Sequence, residues 1–95
     1  MGIFLRSLLF IIPLAVQRNI VGPRVREARR RAKPHMSQVD LAAKLQVLGF
    51  KIDQSAISKI ENGNRPVLDA ELAALAKELK VSPSWLLGEP DTSTS

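Results

Sequence analysis

The stretch from Ser37 to Gly63, SQVDLAAKLQVLGFKIDQSAISKIENG, decides the fold of this chain. Ser37 is followed three residues later by Asp40, a pattern typical of a helix start, because the hydroxyl caps a free N–H and the carboxylate stabilises the first turn. Apolar residues then recur at steps of three and four, which predicts a helix with one buried stripe. This stripe consists of Leu41, Ala42, Leu45 and Leu48. Gly49 is expected to end the helix, since glycine readily takes the left-handed conformation found just past helix ends.

A second helix is predicted directly after this turn. Asp53 is a good N-cap, and Ile52 before it and Ile57 after it have the spacing of a hydrophobic staple. At about 100° per residue, Ile57 and Ile60 point inward together while the polar residues point outward. The outward residues are Ser55, Ser58, Lys59 and Asn62, with Gln54 at the exposed N-terminal tip. Short polar and amide groups in this arrangement suit base edges and phosphates, because amides both donate and accept hydrogen bonds.

The two helices carry a recognisable pair of motifs. The pattern Gln38-x-x-Leu41-Ala42, followed by ISKIENG at residues 57–63, resembles the helix-turn-helix of the Cro/phage-repressor (xenobiotic-response-element) family of DNA-binding regulators. The resemblance runs from about residue 20 to residue 88. One departure is the segment Gln46 to Ile52, which is several residues longer than the tight turn of the family. The resemblance therefore implies the motif class but leaves the angle between the two helices open.

Three further helices complete the prediction. Gly22-Pro23 opens the first helix, and Pro34 breaks it. Asp69 is expected to cap a helix from Ala70 to Lys80, whose core stripe has helical spacing. Ser82-Pro83 starts a short fifth helix. The stripe of the fourth helix is Leu72, Leu75, Ala76 and Leu79, and the fifth helix carries Trp85, expected in the core, with Leu86 and Leu87. With no convincing strand, the fold class is all-α, a compact five-helix bundle of the lambda-repressor-like type that the resemblance implies.

Length and charge limit the possible partners. The 95 residues allow one small domain, and the absence of cysteine excludes disulfides and thiolate metal sites. The formal net charge is +5, and residues 18–33 hold seven Lys/Arg against one Glu. Such a basic run fits an anionic polymer as partner, and binding through it weakens steeply with salt. The alternative is a solvated helix face, although a neighbouring helix-turn-helix favours the nucleic-acid interpretation.

The N-terminal segment does not fit the rest of the chain. The nine-residue apolar run LLFIIPLAV at residues 8–16 is too short for an ordinary transmembrane helix, which needs about twenty residues. Three interpretations stay open for residues 1–17: an extension from a start codon assigned too far upstream, an apolar arm that packs on the domain or pairs two subunits, or membrane association. The predicted organisation is this apolar leader, a helix-turn-helix domain over 18–88, and a disordered tail over 89–95.

The sequence does not support catalysis. The chain has one histidine, His35, with no second histidine and no cysteine near it, so a metal site is not expected. There is no glycine-rich phosphate loop, and the carboxylates are scattered or used as helix caps. We therefore predict no enzyme activity, no metal and no cofactor.

The candidate site residues fall into three sets. For base-edge contact we predict Gln54, Ser55, Ser58 and Lys59. For phosphate contact we predict Gln38, Asn62 and Arg65. The resemblance further implies an ion pair between Arg29 of the first helix and Glu61, and the helical angle supports it, since Glu61 projects close to the core side.

The function predicted from these features is sequence-specific binding of double-stranded DNA in the major groove by a small cytoplasmic transcriptional regulator. A homodimer on a two-fold-related operator is expected, because one such domain reads only a few base pairs. Repression by occupying a promoter is the simplest output. The family also implies a possible protein partner, as in the antitoxin half of a toxin–antitoxin pair. The alternative is a protein-interaction or membrane-associated module. Of these two partners, a protein is favoured over a membrane.

Overall fold

The structure is a computed structural model that describes residues 17–90. Within these residues the chain forms five helices and no strand, as the sequence predicts. Residues 1–16 of the predicted leader and residues 91–95 of the predicted tail lie outside the described residues. The helices are α1 (Gly22–Arg31), α2 (Gln38–Val47), α3 (Gln54–Glu61), α4 (Asp69–Leu79) and α5 (Pro83–Leu86).

The start of α2 has the predicted cap. The hydroxyl of Ser37 accepts a hydrogen bond from the Asp40 N–H at 3.0 Å, and the Asp40 carboxylate accepts one from the Ser37 N–H at 2.9 Å. These two bonds satisfy donors that would otherwise have no partner in the helix. They also hold the pKa of Asp40 below its ordinary value, because the backbone N–H and hydroxyl of Ser37 stabilise the carboxylate.

The start of α3 is also confirmed. Asp53 Oδ1 accepts a hydrogen bond from the Ala56 N–H at 2.8 Å. Ile52 and Ile57, the predicted staple pair, are both buried. Residues 48–53 separate α2 from α3, so the connection in the motif is a six-residue loop.

The end of α2 differs in one respect from the prediction. Gly49 has the left-handed φ of +95° expected after a helix, and the Phe50 N–H donates back to the Leu45 carbonyl at 3.1 Å. Leu48, predicted in the buried stripe, is instead 43 % exposed. The reason is that α2 ends at Val47, so Leu48 is the C-cap and no longer follows the helical face that Leu41 and Leu45 continue.

The first helix begins where predicted and ends earlier than predicted. It runs from Gly22, with Pro23 in its first turn, and stops at Arg31, because Ala32 already has an extended backbone. Ala32, the C-cap residue of this helix, is half-buried. A contact that was not predicted from the sequence supports the first turn: Asn19, two residues before the N-cap Val21, accepts through Oδ1 from the Gly22 N–H at 2.9 Å.

The core is formed by apolar side chains from all five helices and from the loop before α3. Helix α3 packs against α2 and α1, and α4 packs against α1, α2 and α5. The buried set is Val21, Val25, Ala28, Leu41, Ala42, Leu45, Ile52, Ile57, Ile60, Ala74, Leu75, Ala76, Leu79 and Leu86. Burial of this set on both flanks of α3 fixes the position of that helix.

Gly22 marks the closest approach between α1 and α3. A Cβ atom at this position would lie 2.3 Å from the Ile60 carbonyl oxygen and 2.7 Å from that of Glu61. Both neighbours are backbone atoms, which cannot move aside by a change of rotamer. The first turn of α1 therefore rests directly on the last turn of α3, and only glycine fits there.

The fourth helix starts one residue earlier than predicted. Asp69, the predicted cap, is the first residue of α4, and the cap position is taken by Leu68. The Leu68 N–H donates to the Glu71 carboxylate at 3.0 Å, and Asp69 Oδ1 accepts from the Ala70 N–H at 2.7 Å, so both acids satisfy backbone donors at the start of α4. The helix ends at Leu79, and its C-cap Lys80 has the left-handed φ of 59°.

Trp85 packs against the core, and its ring also contacts two arginines of α1. The guanidinium carbon of Arg24 lies 4.6 Å from the ring centroid, and that of Arg31 lies 5.7 Å from it. The same Arg24 donates from Nη1 to the carbonyls of Trp85 and Glu89, each at 2.8 Å. Cation–π attraction and these hydrogen bonds fasten α5 to α1.

Candidate nucleic-acid interface

Helix α3 presents a polar face to solvent and an apolar face to the core. Gln54, Ser55 and Lys59 are exposed, and Ser58 is half-buried at the edge of this face. On the opposite side Ile57 and Ile60 are completely buried. All four predicted base-edge residues are thus brought together on one helix of eight residues with their backbone held from behind.

The rear of α3 is attached through Glu61. Its side chain has no solvent exposure, and it forms a two-point ion pair with Arg29. Arg29 Nε donates to Glu61 Oε2 at 2.7 Å, and Arg29 Nη2 donates to Glu61 Oε1 at 3.1 Å. Arg29 Nη1 donates to the Met36 carbonyl at 3.1 Å, which links the pair to the loop before α2. The pair that the sequence predicted is therefore present and buried.

Two further donors reach the same carboxylate. Gln38 Nε2 lies 3.1 Å from Glu61 Oε1, and Arg26 Nε lies 3.3 Å from it. Burial alone would raise the pKa of Glu61, but the hydrogen bonds from Arg29, Gln38 and Arg26 and the charge of Arg29 outweigh it. The pKa of Glu61 is therefore lowered, and the ion pair persists at neutral pH.

We expect the fold to lose stability in acid. The pKa of Glu61 is lowered by the donors just described, and that of Glu71 is lowered mainly by its hydrogen bond from Arg65, both from an ordinary value of 4.5. A carboxyl group with a lowered folded-state pKa stabilises the fold above its ordinary pKa, and this contribution disappears as the pH falls through the folded-state value. Melting followed by circular dichroism should give a constant Tm between pH 7 and 5 and a falling Tm below about pH 4.5. Glu61→Gln should melt lower at pH 7 and show a shallower decline in acid; a decline as steep as the parent's would exclude Glu61 as a source of it.

Gln38 links the ion pair to the exposed tip of α3. Its Oε1 accepts a hydrogen bond from Gln54 Nε2 at 2.7 Å, while its Nε2 donates to Glu61. A side-chain amide has two N–H donors and an oxygen with two lone pairs, so each end of Gln38 keeps capacity for one more partner. The first residue of α3 is therefore oriented by the first residue of α2.

Asn62, the predicted phosphate residue at the end of α3, has a partner that was not predicted from the sequence. Asn62 Oδ1 accepts a hydrogen bond from Arg26 Nη2 at 2.8 Å, and Arg26 keeps 38 % of its side chain exposed. Arg26 lies one helical turn away from Gly22, which touches the last turn of α3. The only feature of the sequence that pointed to Arg26 was its position in the basic run of residues 18–33.

Arg65 has an intramolecular partner as well. Its Nη1 and Nη2 each lie 3.0 Å from an oxygen of Glu71, and Nη1 also donates to the Pro66 carbonyl at 2.9 Å. This ion pair is part of the clamp on the start of α4, since Glu71 also accepts from the Leu68 N–H. The sequence predicted a phosphate role for Arg65, and the structure adds a structural one.

Asn19 fastens the chain before α1 to the end of α3. Its Nδ2 donates to the Ile60 carbonyl at 3.1 Å and to the Arg65 carbonyl at 2.7 Å. The Arg18 N–H donates to the Gly63 carbonyl at 2.7 Å beside it. An asparagine three residues ahead of Gly22 is a local signal for the start of α1, but nothing in the sequence indicates that its amide reaches the end of α3.

The basic run at residues 18–33 does not form one patch. Arg29 is buried on Glu61, and Arg24 and Arg31 lie over Trp85. Arg31 also pairs with Glu27, one helical turn away. The charges of this run that are most accessible are Arg18, Arg30, Arg31 and Lys33, together with the partly exposed Arg26.

Comparisons with known proteins give one match. A family model described as helix-turn-helix matches residues 25–86, from within α1 to the end of α5. Comparisons with curated proteins and with solved structures gave no significant match. Between residues 17 and 90 no helix has the length and apolar character needed to cross a membrane. The same residues contain no cluster of three or more His, Cys, Asp or Glu side chains suited to a metal ion.

Proposed function

The chain belongs to the Cro/C1-type helix-turn-helix family of DNA-binding transcription regulators, and from this premise we propose that it recognises a specific double-stranded sequence by placing α3 in the major groove. The observation that carries the proposal is the exposed polar face of α3 on a helix whose opposite face is completely buried. A reading helix needs side chains free to reach base edges and a backbone that does not move.

The base-edge set comprises Gln54, Ser55, Ser58 and Lys59. Lys59 supplies a cation suited to the O6 and N7 acceptors of guanine, and Gln54 supplies the amide that pairs with adenine. Because Gln38 holds the amide of Gln54, the orientation of this side chain is set before DNA arrives. Ser55 and Ser58 are short and bring the helix close to the bases.

The phosphate set comprises Gln38, Asn62 and Arg65, which lie at the start of α2 and just past α3. Asn62 is exposed and shares its oxygen with Arg26, so a phosphate that binds its amide also meets a guanidinium. Arg65 donates from Nη1 and Nη2 to Glu71, so a phosphate would bind its remaining N–H groups. Contacts of this kind set the register of the protein on the duplex and carry no sequence information directly.

We propose that two copies bind a two-fold-related operator and repress transcription by occupying a promoter. The supporting argument is that α3 offers only eight residues, of which four face outward for base contact, and so reads a short half-site. A second half-site supplies the specificity that one domain lacks. Analytical ultracentrifugation of the complex with selected DNA would give its stoichiometry.

The test begins with selection of bound sequences from a random duplex library, followed by titration of the selected operator against an unrelated duplex. Lys59→Ala and Gln54→Ala should each reduce discrimination between the two duplexes by about 1–3 kcal/mol, because a good base contact has that value. Lys77→Ala, on the exposed side of α4, is the matched control and should leave discrimination unchanged. If both α3 variants bind each duplex as the parent does, this face of α3 does not read DNA.

A protein-interaction module is the alternative function, and the apolar surface of α2 favours it. Val39 and Val47 lie about two turns apart on α2 and are 61 % and 86 % exposed, and Leu48, directly after the helix, is 43 % exposed. Exposed apolar surface of this kind marks interaction sites when its residues are contiguous. Gel shift on random duplex at low salt separates the two functions, since a module that binds only proteins should retain little affinity for DNA.

A further inference from the structure

A groove of about 740 Å³ lies between the C-terminal part of α1, the loop before α2, helix α2 and the end of α4. It contains none of the residues that we assign to DNA. Its apolar lining includes Ala28, Ala32, Met36, Leu79, Val81 and Trp85. Its volume falls within the range of about 300–1,000 Å³ typical of small-molecule sites.

The polar lining of the groove is predominantly basic. It contains four Lys/Arg side chains and two carboxylates, so the formal net charge of the lining is +2 when His35 is counted as uncharged. One of the acids, Asp40, already accepts from the Ser37 N–H at the cap of α2, and one of the cations, Arg31, already pairs with Glu27 outside the groove, so the lysines are the cations left for a ligand. The cations of the lining are Arg31, Lys33, Lys44 and Lys80, and the acids are Asp40 and Glu78.

The apolar residues of the lining and its four cations, called the rim below, together restrict the chemical class of the ligand. An inorganic anion would leave the apolar surface of Met36, Val81 and Trp85 uncovered, and an uncharged apolar molecule would leave the rim without an anion. A cation would meet the net positive charge of the rim. From this complementarity we propose that the groove binds an amphipathic carboxylate, with a hydrocarbon chain along the apolar lining and its carboxylate at the lysines of the rim.

Trp85 provides a direct readout, because it lines the groove and is the single tryptophan of the chain. The full-length protein should be titrated with octanoate, decanoate and dodecanoate below their micellar concentrations while Trp85 fluorescence is followed. Binding should saturate and tighten about threefold for each added methylene, as expected for burial of a hydrocarbon chain. The uncharged 1-decanol and a decyl ammonium salt should bind more weakly than decanoate.

Variants of the rim test the charge contribution. Lys33→Gln and Lys80→Gln should each weaken decanoate binding about fivefold and leave 1-decanol binding unchanged, as expected for a partly exposed ion pair. Lys51→Gln and Lys77→Gln, which lie outside the groove, are the matched controls and should change neither. If one of these variants does not fold, the parent protein is titrated at rising salt instead. Higher salt should weaken the binding of decanoate and leave the binding of 1-decanol unchanged.

Three results would overturn the proposal. One is the absence of saturation with every carboxylate, and another is equal affinity for decanoate and 1-decanol. The third is saturation of the Trp85 signal by an acidic peptide with no response to fatty carboxylates, which would make the groove a protein-docking surface.

Discussion

Glu61→Ala is expected to destabilise the fold by about 3–5 kcal/mol, the cost of breaking a buried ion pair by removing one partner. The variant leaves the guanidinium of Arg29 buried without its carboxylate and leaves Gln38 and Arg26 without their shared acceptor. A domain of this size has a total stability of about 5–10 kcal/mol, so most of it would be lost. Urea unfolding followed by circular dichroism measures the change as a lower midpoint at similar slope.

The control for this variant is Glu89→Ala, which removes an exposed acid and should have little effect. The double variant Arg29→Met/Glu61→Leu should be less destabilised than the sum of Arg29→Met and Glu61→Leu, because it removes both charges together. Strict additivity of the two single effects would show that the pair contributes nothing as a pair.

Gly22→Ala is expected to destabilise the fold by about 2–3 kcal/mol, the cost of forcing extra atoms into a packed site. Helix propensity alone predicts the opposite sign, since alanine inside a helix is favoured over glycine by about 1 kcal/mol. The structure reverses the sign because the new Cβ would lie 2.3 Å from the Ile60 carbonyl oxygen. The same change should weaken DNA binding if the displaced helix is the one that reads DNA.

Gly49→Ala separates this clash from the general cost of replacing glycine. Gly49 has a left-handed φ of +95°, but no atom lies within 4 Å of the position that a Cβ would take, so only backbone strain opposes alanine there. That strain is about 1–2 kcal/mol. Thermal melts should therefore rank the parent above Gly49→Ala and Gly49→Ala above Gly22→Ala. A Gly22→Ala protein as stable as the parent would mean that α1 and α3 separate without cost.

The local features of the fold were predictable because they depend on residues close together in the sequence. The cap at Ser37 and Asp40, the cap at Asp53 and the left-handed turn at Gly49 each involve a span of four residues or fewer. The Arg29–Glu61 pair spans 32 residues and was predicted because the family resemblance supplied the partner. The helical angle of Glu61 alone indicated only that this carboxylate needed a partner.

The features that escaped prediction depend on how distant segments pack. Nothing in the periodicity of α1 shows that Arg24 and Arg31 lie over Trp85, which ties Arg24 to α5 while Arg31 stays largely exposed. The partner of Arg65 is Glu71, and one glutamate among several in α4 gives no sign of which will turn back toward the preceding loop. The prediction that Leu48 is buried was wrong for a local reason, because α2 ends at Val47, one residue before it.

The attachment of α3 from behind has a consequence for how this regulator can change over time. The side chains that hold the helix, Ile57, Ile60 and Glu61, are different from those that face outward, such as Ser55 and Lys59. If α3 reads DNA as proposed, single substitutions at the outward positions alter the preferred DNA sequence without passing through an unstable intermediate. Under that proposal a new binding preference is accessible by point mutation while the scaffold stays unchanged, and the outward positions are suitable for laboratory reprogramming.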